Sequence, residues 1–572
     1  MIATLDRRLS FLGVLMAFIS VMLVARVVSF QLQLSPEVRD YLERQRDQSY
    51  FSARQTLPER GEIYDRKGQL LATNSTEYQV SIDVPYVRPN PEATLSLLAV
   101  LTERDIVPIW EQWVRMNESG HMWYPLPGTI TAEMAQRIAE TGLRGVQLNP
   151  LPRRFYPQGS LGGPMIGFVN LEGMGYYGVE GYYQVQLAGR TEVSVESNIP
   201  FEARINPQPK PGADLVLTID RDVQFLAEQS LAQGVETYQA DGGIIIVMDP
   251  RDGSILAMAS TPGYDPNRYL QYDEKQRINP IVSSIYEPGS VFKVLTMACA
   301  LDAGVVTRDH VYNDQGVIEV GGHAIHNWDR RAYGSQNMTQ LLARSLNVGA
   351  AMLSTSMGPF RFYQCLEDFN IGKPTGIDLQ GEASGLLRQP GDSQWAESDL
   401  GTNSFGQGVS VTPIQMIAAV SAVANKGLLA RPHVIHQQID GSEVFTAQPQ
   451  YLRRPISEAT ARILTEMMVD AVVYGAEKAL VPGYTVAGKS GTAEIPVPGG
   501  YTSSETIASF VGFLPADDPQ VIVLVRLDRP RTSIWGTQTA APLFSQFVQR
   551  LVVLLEIPPD DLRRQISVAA GG

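Results

Sequence analysis

The chain has 572 residues and a net charge of −14. A hydrophobic share of 44%, a charged share of 19%, 50 Gly and 37 Pro exclude a disordered, collagen-like or coiled-coil chain. The acidic balance argues against a general nucleic-acid binder, and the length calls for two or three domains.

At the N-terminus, residues 9–25 carry no charge, and past Arg26 the apolar run continues to Phe30. The 22 residues from Leu9 to Phe30 can cross a bilayer if Arg26 snorkels outward. A cleaved signal peptide would have a shorter apolar stretch and a small-x-small site, and neither is present. Residues 9–31 therefore read as an uncleaved anchor behind a short tail, 1–8. Arg7 and Arg8 precede the run and Arg39, Arg44 and Arg46 follow it, so the positive-inside rule alone does not orient it.

Residues 32–215 are mixed, hold no catalytic cluster and read as a spacer or docking domain, with 205–213 as a linker. After them the pattern changes. Gly243–Met248 reads as a buried strand, 249–253 as a turn and 254–260 as the returning strand. Three more strands are expected late, over 484–495, 507–514 and 521–527, and an apolar helix over 540–555. Residues 285–480 are largely helical in pattern. This is an α+β arrangement: a five-stranded antiparallel sheet interrupted by a helical insertion.

Three short motifs carry chemistry. Ser290-Val-Phe-Lys293 follows Pro288-Gly289 and opens an apolar helix, so Ser290 sits at a helix N-terminus with Lys293 on the same face. A neutral lysine can deprotonate a serine hydroxyl, and the helix dipole and a second nearby cation both disfavour the ammonium. Of eight lysines, only Lys293 has a serine three residues earlier. Taken alone, the motif is no more than a helix start capped by serine.

Ser-x-Asn occurs twice. Ser335-Gln-Asn337 lies in a turn and is expected to cap the next helix. Ser345-Leu-Asn347 lies in a helical stretch that can hold Ser345 and Asn347 rigidly at a cleft wall, with Leu346 packed inward. The third motif, Lys489-Ser490-Gly491-Thr492, falls on a strand. Lys489, Ser490 and Thr492 can meet a carboxylate, Gly491 can admit a ligand backbone closely, and the Thr492 N–H is a candidate oxyanion donor. By itself it is an ordinary strand with a glycine.

The three motifs in this order, 55 and then 144 residues apart, resemble those of penicillin-binding proteins and serine β-lactamases. The chain resembles a class B penicillin-binding protein, a monofunctional peptidoglycan D,D-transpeptidase, over nearly its whole length. Further landmarks are Arg60-Gly-Glu-Ile-Tyr-Asp-Arg-Lys-Gly68, Gly178-Val-Glu180-Gly181, Ser404-Phe-Gly-Gln-Gly408 and Thr412-Pro-Ile-Gln415. Leu346 replaces the commonest Asp, and Ser490 stands where many relatives have Thr. Both fit a transpeptidase, and the first weakens a β-lactamase reading.

The resemblance implies a pedestal or dimerisation domain at 32–215, a transpeptidase domain at 216–556 and a C-terminal tail at 557–572. It implies Ser290 as nucleophile, Lys293 as base and Ser345 and Asn347 across the cleft. Lys489, Ser490, Gly491 and Thr492 would be substrate-binding, with the Ser290 and Thr492 N–H groups as oxyanion hole. Stem peptides and β-lactams are the implied ligands. A SEDS-family membrane glycosyltransferase, with divisome or elongasome proteins, is the implied partner. An extracytoplasmic substrate puts the N-terminus in the cytoplasm and the catalytic domain outside a bacterial inner or plasma membrane. Division fits slightly better than elongation. The competing readings are a septal scaffold without catalysis and a β-lactam sensor or β-lactamase.

No cofactor or metal is expected. His323 and His326 form a His-x-x-His pair after Gly-Gly, which reads as a turn, and no third ligand is evident. Cys299 and Cys365 are too few for a disulfide scaffold, and Cys299, on the far side of the Ser290 helix, is expected to be buried apolar filler. Trp328 and Tyr286 belong to the cleft or to the aromatic core.

Overall fold

A computed structural model describes residues 2–32, 51–56, 58–190, 192–197, 210–497 and 500–570. The chain divides into two units, residues 1–59 with 189–211 and residues 60–188 with 212–572. Most of the expected linker at 205–213 lies outside the described residues.

The first unit contains helix α1 (Ile2–Leu32). Its residues Phe11–Ser29 are largely apolar, with Arg26 the one charge, and no part of this stretch is buried. A 19-residue apolar helix is about 28 Å long, the thickness of a bilayer core. Phe51–Thr56 and Glu192–Ser197 form an antiparallel ladder in the same unit.

The second unit starts with β1 (Ile63–Tyr64), β2 (Leu70–Asp83), β3 (Val146–Phe155) and β4 (Asp214–Leu217). β4 runs parallel to β1 and antiparallel to the later strand Ile435–Asp440. The expected border at 215/216 thus falls inside a strand that ties early and late segments into one sheet. The first two landmarks of the early segment meet here. The fully buried Glu180 carboxylate accepts from Arg60 Nε at 2.8 Å and from Arg154 Nε at 2.6 Å. Gly61 passes so close to Ala213 that a Cβ would lie 1.9 Å from its carbonyl oxygen. Buried Asp65 accepts from the Arg221 N–H at 3.1 Å, at the start of α2 (Arg221–Tyr238).

The central sheet comprises β5 (Gly242–Met248), β6 (Ile255–Thr261) and three late strands. Every residue of β5 is buried, as its continuous Ile-Ile-Ile-Val run requires of a central strand. One face is covered by α3 (Lys293–Asp302), α4 (Met338–Arg344), α5 (Asn347–Met357), α6 (Pro359–Asp368), α7 (Pro413–Ala424) and α8 (Glu458–Gly475), all in one core. α7 is buried on all sides, because its apolar residues cover the whole circumference. The late strands are β7 (Ala487–Val497), β8 (Gly500–Leu514) and β9 (Val521–Asp528). The five strands are all antiparallel, as the sequence predicts, and their order is β6-β5-β9-β8-β7. α9 (Ala540–Leu554) packs with α2 on the other face through Leu543, Phe544 and Phe547.

Two expectations are corrected. Cys299 is buried, but it is not filler: it forms a disulfide with Cys365, joining α3 to α6. The pairing depends on how two helices pack across a separation of 66 residues, which no local pattern encodes. By loop-closure entropy, a bridge of this span stabilises the fold by about 4 kcal/mol. The double variant Cys299→Ala with Cys365→Ala is expected to lose that much in denaturant unfolding. A loss below about 1 kcal/mol would show that the bridge constrains little.

The second correction concerns the expected C-terminal tail, 557–572, whose described residues, 557–570, are tied to the domain. α10 (Asp560–Ala570) is docked by Asp560, which accepts from the Thr485 N–H at 2.7 Å and the Thr485 hydroxyl at 2.6 Å. Gly321-Gly322 form the turn that the sequence predicts, and His323–His326 leave it as a strand paired in a hairpin with Val317–Val320.

Candidate active site

Gly289–Phe292 form one tight helical turn that runs into α3 and presents Ser290 at its start. Gly289 has φ +57°, which favours glycine, and its N–H donates to Gly406 O at 3.2 Å. A Cβ on Gly406 would lie 2.3 Å from Gly289 O, so the Ser404-Phe-Gly-Gln-Gly408 landmark is a backing plate for the serine turn. Thr412 and Gln415, in the next landmark, form a reciprocal capping box that starts α7.

Ser345 and Asn347 reach the site by a different local structure than expected. The stretch is not one helix. α4 ends at Ser345, which adopts a left-handed conformation with φ +58°, and α5 begins at Asn347. For a non-glycine residue this costs about 1 kcal/mol, and it turns both the carbonyl and the hydroxyl of Ser345 toward Lys293. Leu346 is fully buried, as expected. The other Ser-x-Asn also behaves as expected: Asn337 caps α4 with Gln340 as its reciprocal partner.

Lys293 is the hub and is 1% exposed. Its Nζ lies 2.7 Å from Ser345 O, 2.7 Å from Asn347 Oδ1, 3.0 Å from Ser290 Oγ and 3.1 Å from Ser345 Oγ. The first two oxygens can only accept, so they hold two N–H groups. The other two belong to hydroxyls, which can donate. A neutral amine therefore satisfies the site with its lone pair left for a hydroxyl proton. Burial, and after it the charge of Lys489, hold Lys293 well below the usual lysine range. The second cation expected from the sequence is thus present, while burial, which the sequence does not show, is the larger cause.

Asn347 is locked from both ends, since its Nδ2 donates to His326 O at 3.0 Å. Lys489 is itself buried, which lowers it to about 7, and its Nζ lies 3.2 Å from Ser345 Oγ. The Ser345 hydroxyl thus stands between two lysines. Ser490 and Thr492 line the cleft beside Ser290, and Thr492 Oγ1 accepts from the Gly536 N–H at 3.0 Å. Gly491 also has a packing role that the sequence does not show: it is buried, and a Cβ there would meet Ser509 Oγ at 2.4 Å and Val291 at 2.8 Å, so its missing side chain lets β7 pack against the serine turn.

The cleft over these residues has a volume of about 660 Å³. Several of its walls were not anticipated: Tyr333, Phe405, Thr506 and Trp535. Phe405 belongs to the Ser404–Gly408 landmark, while the other three come from segments with no motif, so only the tertiary structure assigns them. Trp328 belongs to the cleft, where it meets Trp535 edge to face at 5.1 Å. Tyr286 belongs to the core, with the Arg526 guanidinium 4.9 Å from its ring centre.

A serine beside an amine of lowered basicity, in a cleft bordered by the edge strand of the sheet, has the parts of a serine acyl-transfer site. Comparison with known proteins agrees. Residues 243–549 match the penicillin binding protein transpeptidase domain, and residues 55–217 match the penicillin-binding protein dimerisation domain. Stage V sporulation protein D of Bacillus subtilis is 36% identical over 520 residues, which cover 88% of this chain and 79% of the relative. A probable peptidoglycan D,D-transpeptidase PenA of Neisseria meningitidis is 31% identical over 97% of this chain and 94% of its own. The crystal structure of penicillin binding protein 3 from Mycobacterium tuberculosis, complexed with aztreonam, superposes with a TM-score of 0.69 at 26% identity, covering 88% of this chain and 98% of that one. The chain belongs to the class B penicillin-binding proteins, with a dimerisation domain followed by a transpeptidase domain.

Proposed function

We propose that this chain is a peptidoglycan D,D-transpeptidase that cross-links stem peptides through an acyl-serine on Ser290 and is acylated by β-lactams at the same atom. The observation that carries this is Lys293 Nζ, buried at 3.0 Å from Ser290 Oγ with its other neighbours fixed. Ser290 Oγ attacks the penultimate D-Ala carbonyl as its proton passes to Lys293. The Ser290 and Thr492 N–H groups steady the oxyanion. The C–N bond breaks, a proton goes to the departing D-Ala amine by way of the Ser345 hydroxyl, and the acyl group stays on Ser290. A second stem peptide's amine then attacks the ester, forming the cross-link and restoring the serine. Lys489, Ser490 and Thr492 take the terminal carboxylate, and Asn347 orients Lys293.

The apolar helix makes the chain a single-pass membrane protein. We place residues 1–8 in the cytoplasm and the pedestal, 32–215, and catalytic domain, 216–556, outside the membrane. The Cys299–Cys365 disulfide supports this side, since such bonds persist in oxidising compartments. A division role with a membrane glycosyltransferase partner is the finer reading.

Fluorescent penicillin tests the core of it. The full chain in detergent is expected to take one long-lived label, absent from Ser290→Ala. Rapid loss of label would point to a β-lactamase, and no label on the folded wild type to a scaffold.

A further inference from the structure

β7 is the edge strand of the central sheet, so an extended peptide can lie along it. Its side chains alternate: Lys489, Gly491 and Ala493 are buried, while Ser490, Thr492 and Glu494 line the cleft. Among the described residues, Glu494 is the one carboxylate on the cleft wall, and it makes neither ion pair nor hydrogen bond with any of them. A half-buried carboxylate without a partner among the described residues, two residues from an oxyanion donor, contrasts with acids of the second unit that cap a helix, hold a turn or pair with arginine. Glu180, Asp65 and Asp560 are of that kind.

The strand therefore has a polarity. Lys489 and Ser490 form its cationic end, suited to a terminal carboxylate. Glu494 lies about 7 Å beyond Thr492, two residues along the strand. A peptide whose scissile carbonyl sits at Thr492 and Ser290 brings the residue before its D-Ala–D-Ala alongside Glu494. The acceptor in cross-linking is an amine on a second copy of the same stem peptide. Each donor therefore carries that amine too, and the residue facing Glu494 is a place for it.

We infer that Glu494 is a specificity-determining residue that binds a free side-chain ammonium on the donor stem peptide, one residue upstream of D-Ala–D-Ala. The inference rests on the transpeptidase reading of the site. A charge-assisted hydrogen bond in this partly open cleft is worth about tenfold in selectivity.

The test uses the full chain in detergent and two peptides ending in Lys-D-Ala-D-Ala, one with the lysine ε-amine free and one with it acetylated, which removes the charge. Release of D-Ala is followed with a small D-amino acid in excess as acceptor. The wild type is expected to prefer the free amine about tenfold in kcat/KM. Glu494→Asp should keep the preference, Glu494→Gln should bring the ratio near one, and Glu494→Lys should invert it. A wild type that labels with fluorescent penicillin yet turns over both peptides equally overturns the inference and leaves the transpeptidase reading standing. So does a preference that survives Glu494→Gln. A wild type that neither labels nor releases D-Ala overturns both. The wild-type comparison needs no variant, so a poorly folded substitution does not decide the outcome.

Discussion

Lys293→Ala is expected to slow acylation of Ser290 by about 10²- to 10⁴-fold, the range for loss of a positioned general base. Lys293 Nζ is the basic atom within hydrogen-bond reach of Ser290 Oγ, and its four oxygen neighbours keep it there. The same geometry sets a pH dependence. A base must be neutral, so acylation should rise with pH as Lys293 loses its proton, well below the usual lysine range. Lys489 must be charged to attract a carboxylate, and it loses its proton near about 7, so the rate should fall above that. A bell-shaped profile of the second-order rate of penicillin acylation is the expected result. A Lys293→Ala protein that unfolds cooperatively yet acylates within tenfold of wild type would remove Lys293 from its role. So would a rate that climbs only near about pH 10.4, the ordinary lysine value.

Glu180→Ala is expected to cost about 3–5 kcal/mol, among the largest single-residue losses outside the site. The carboxylate is fully buried between Arg60 and Arg154. Burial pushes its pKa up, but Arg154 and Arg60 outweigh that and keep it below the ordinary value, so it is ionised in the folded protein. Removing it leaves two guanidinium groups facing each other, one 9% and the other 2% exposed. Arg60→Ala should cost less, because Arg154 still answers the charge. Denaturant unfolding followed by tryptophan fluorescence, with Trp113 in the core of the early segment, measures both. A Glu180→Ala loss below about 1 kcal/mol would mean that water enters the gap and solvates the arginines.

The ion pair also shows how sequence landmarks and structure relate. Arg60 and Glu180 stand in two motifs 120 residues apart, each readable alone. Their contact was not legible, because nothing in either stretch says that β1 and the Gly178–Tyr182 helix adjoin. The catalytic residues divide the same way. Ser290 at a helix start, the alternation of Ser490 and Thr492, and the cap role of Asn337 follow from local backbone periodicity. So do the five strands and the apolar helix α1, since burial pattern and length operate within a few residues.

What the sequence by itself determined was therefore the set of elements, the three motifs and their order, and the membrane anchor. These depend on near-neighbour interactions that any window of the chain contains. Only the tertiary structure decided that Cys299 meets Cys365, that the helix breaks at Ser345 to aim its carbonyl at Lys293, and that Gly491 is a packing residue. It alone placed Trp535 and Glu494 in the cleft and docked α10 on Thr485. Each of these rests on long-range packing, where the position of a group is set by what comes to lie beside it. The depressed basicity of Lys293 belongs here most of all: burial beneath α4 and α5, and the ammonium of Lys489 from a strand almost two hundred residues later, exist only once the chain has closed on itself.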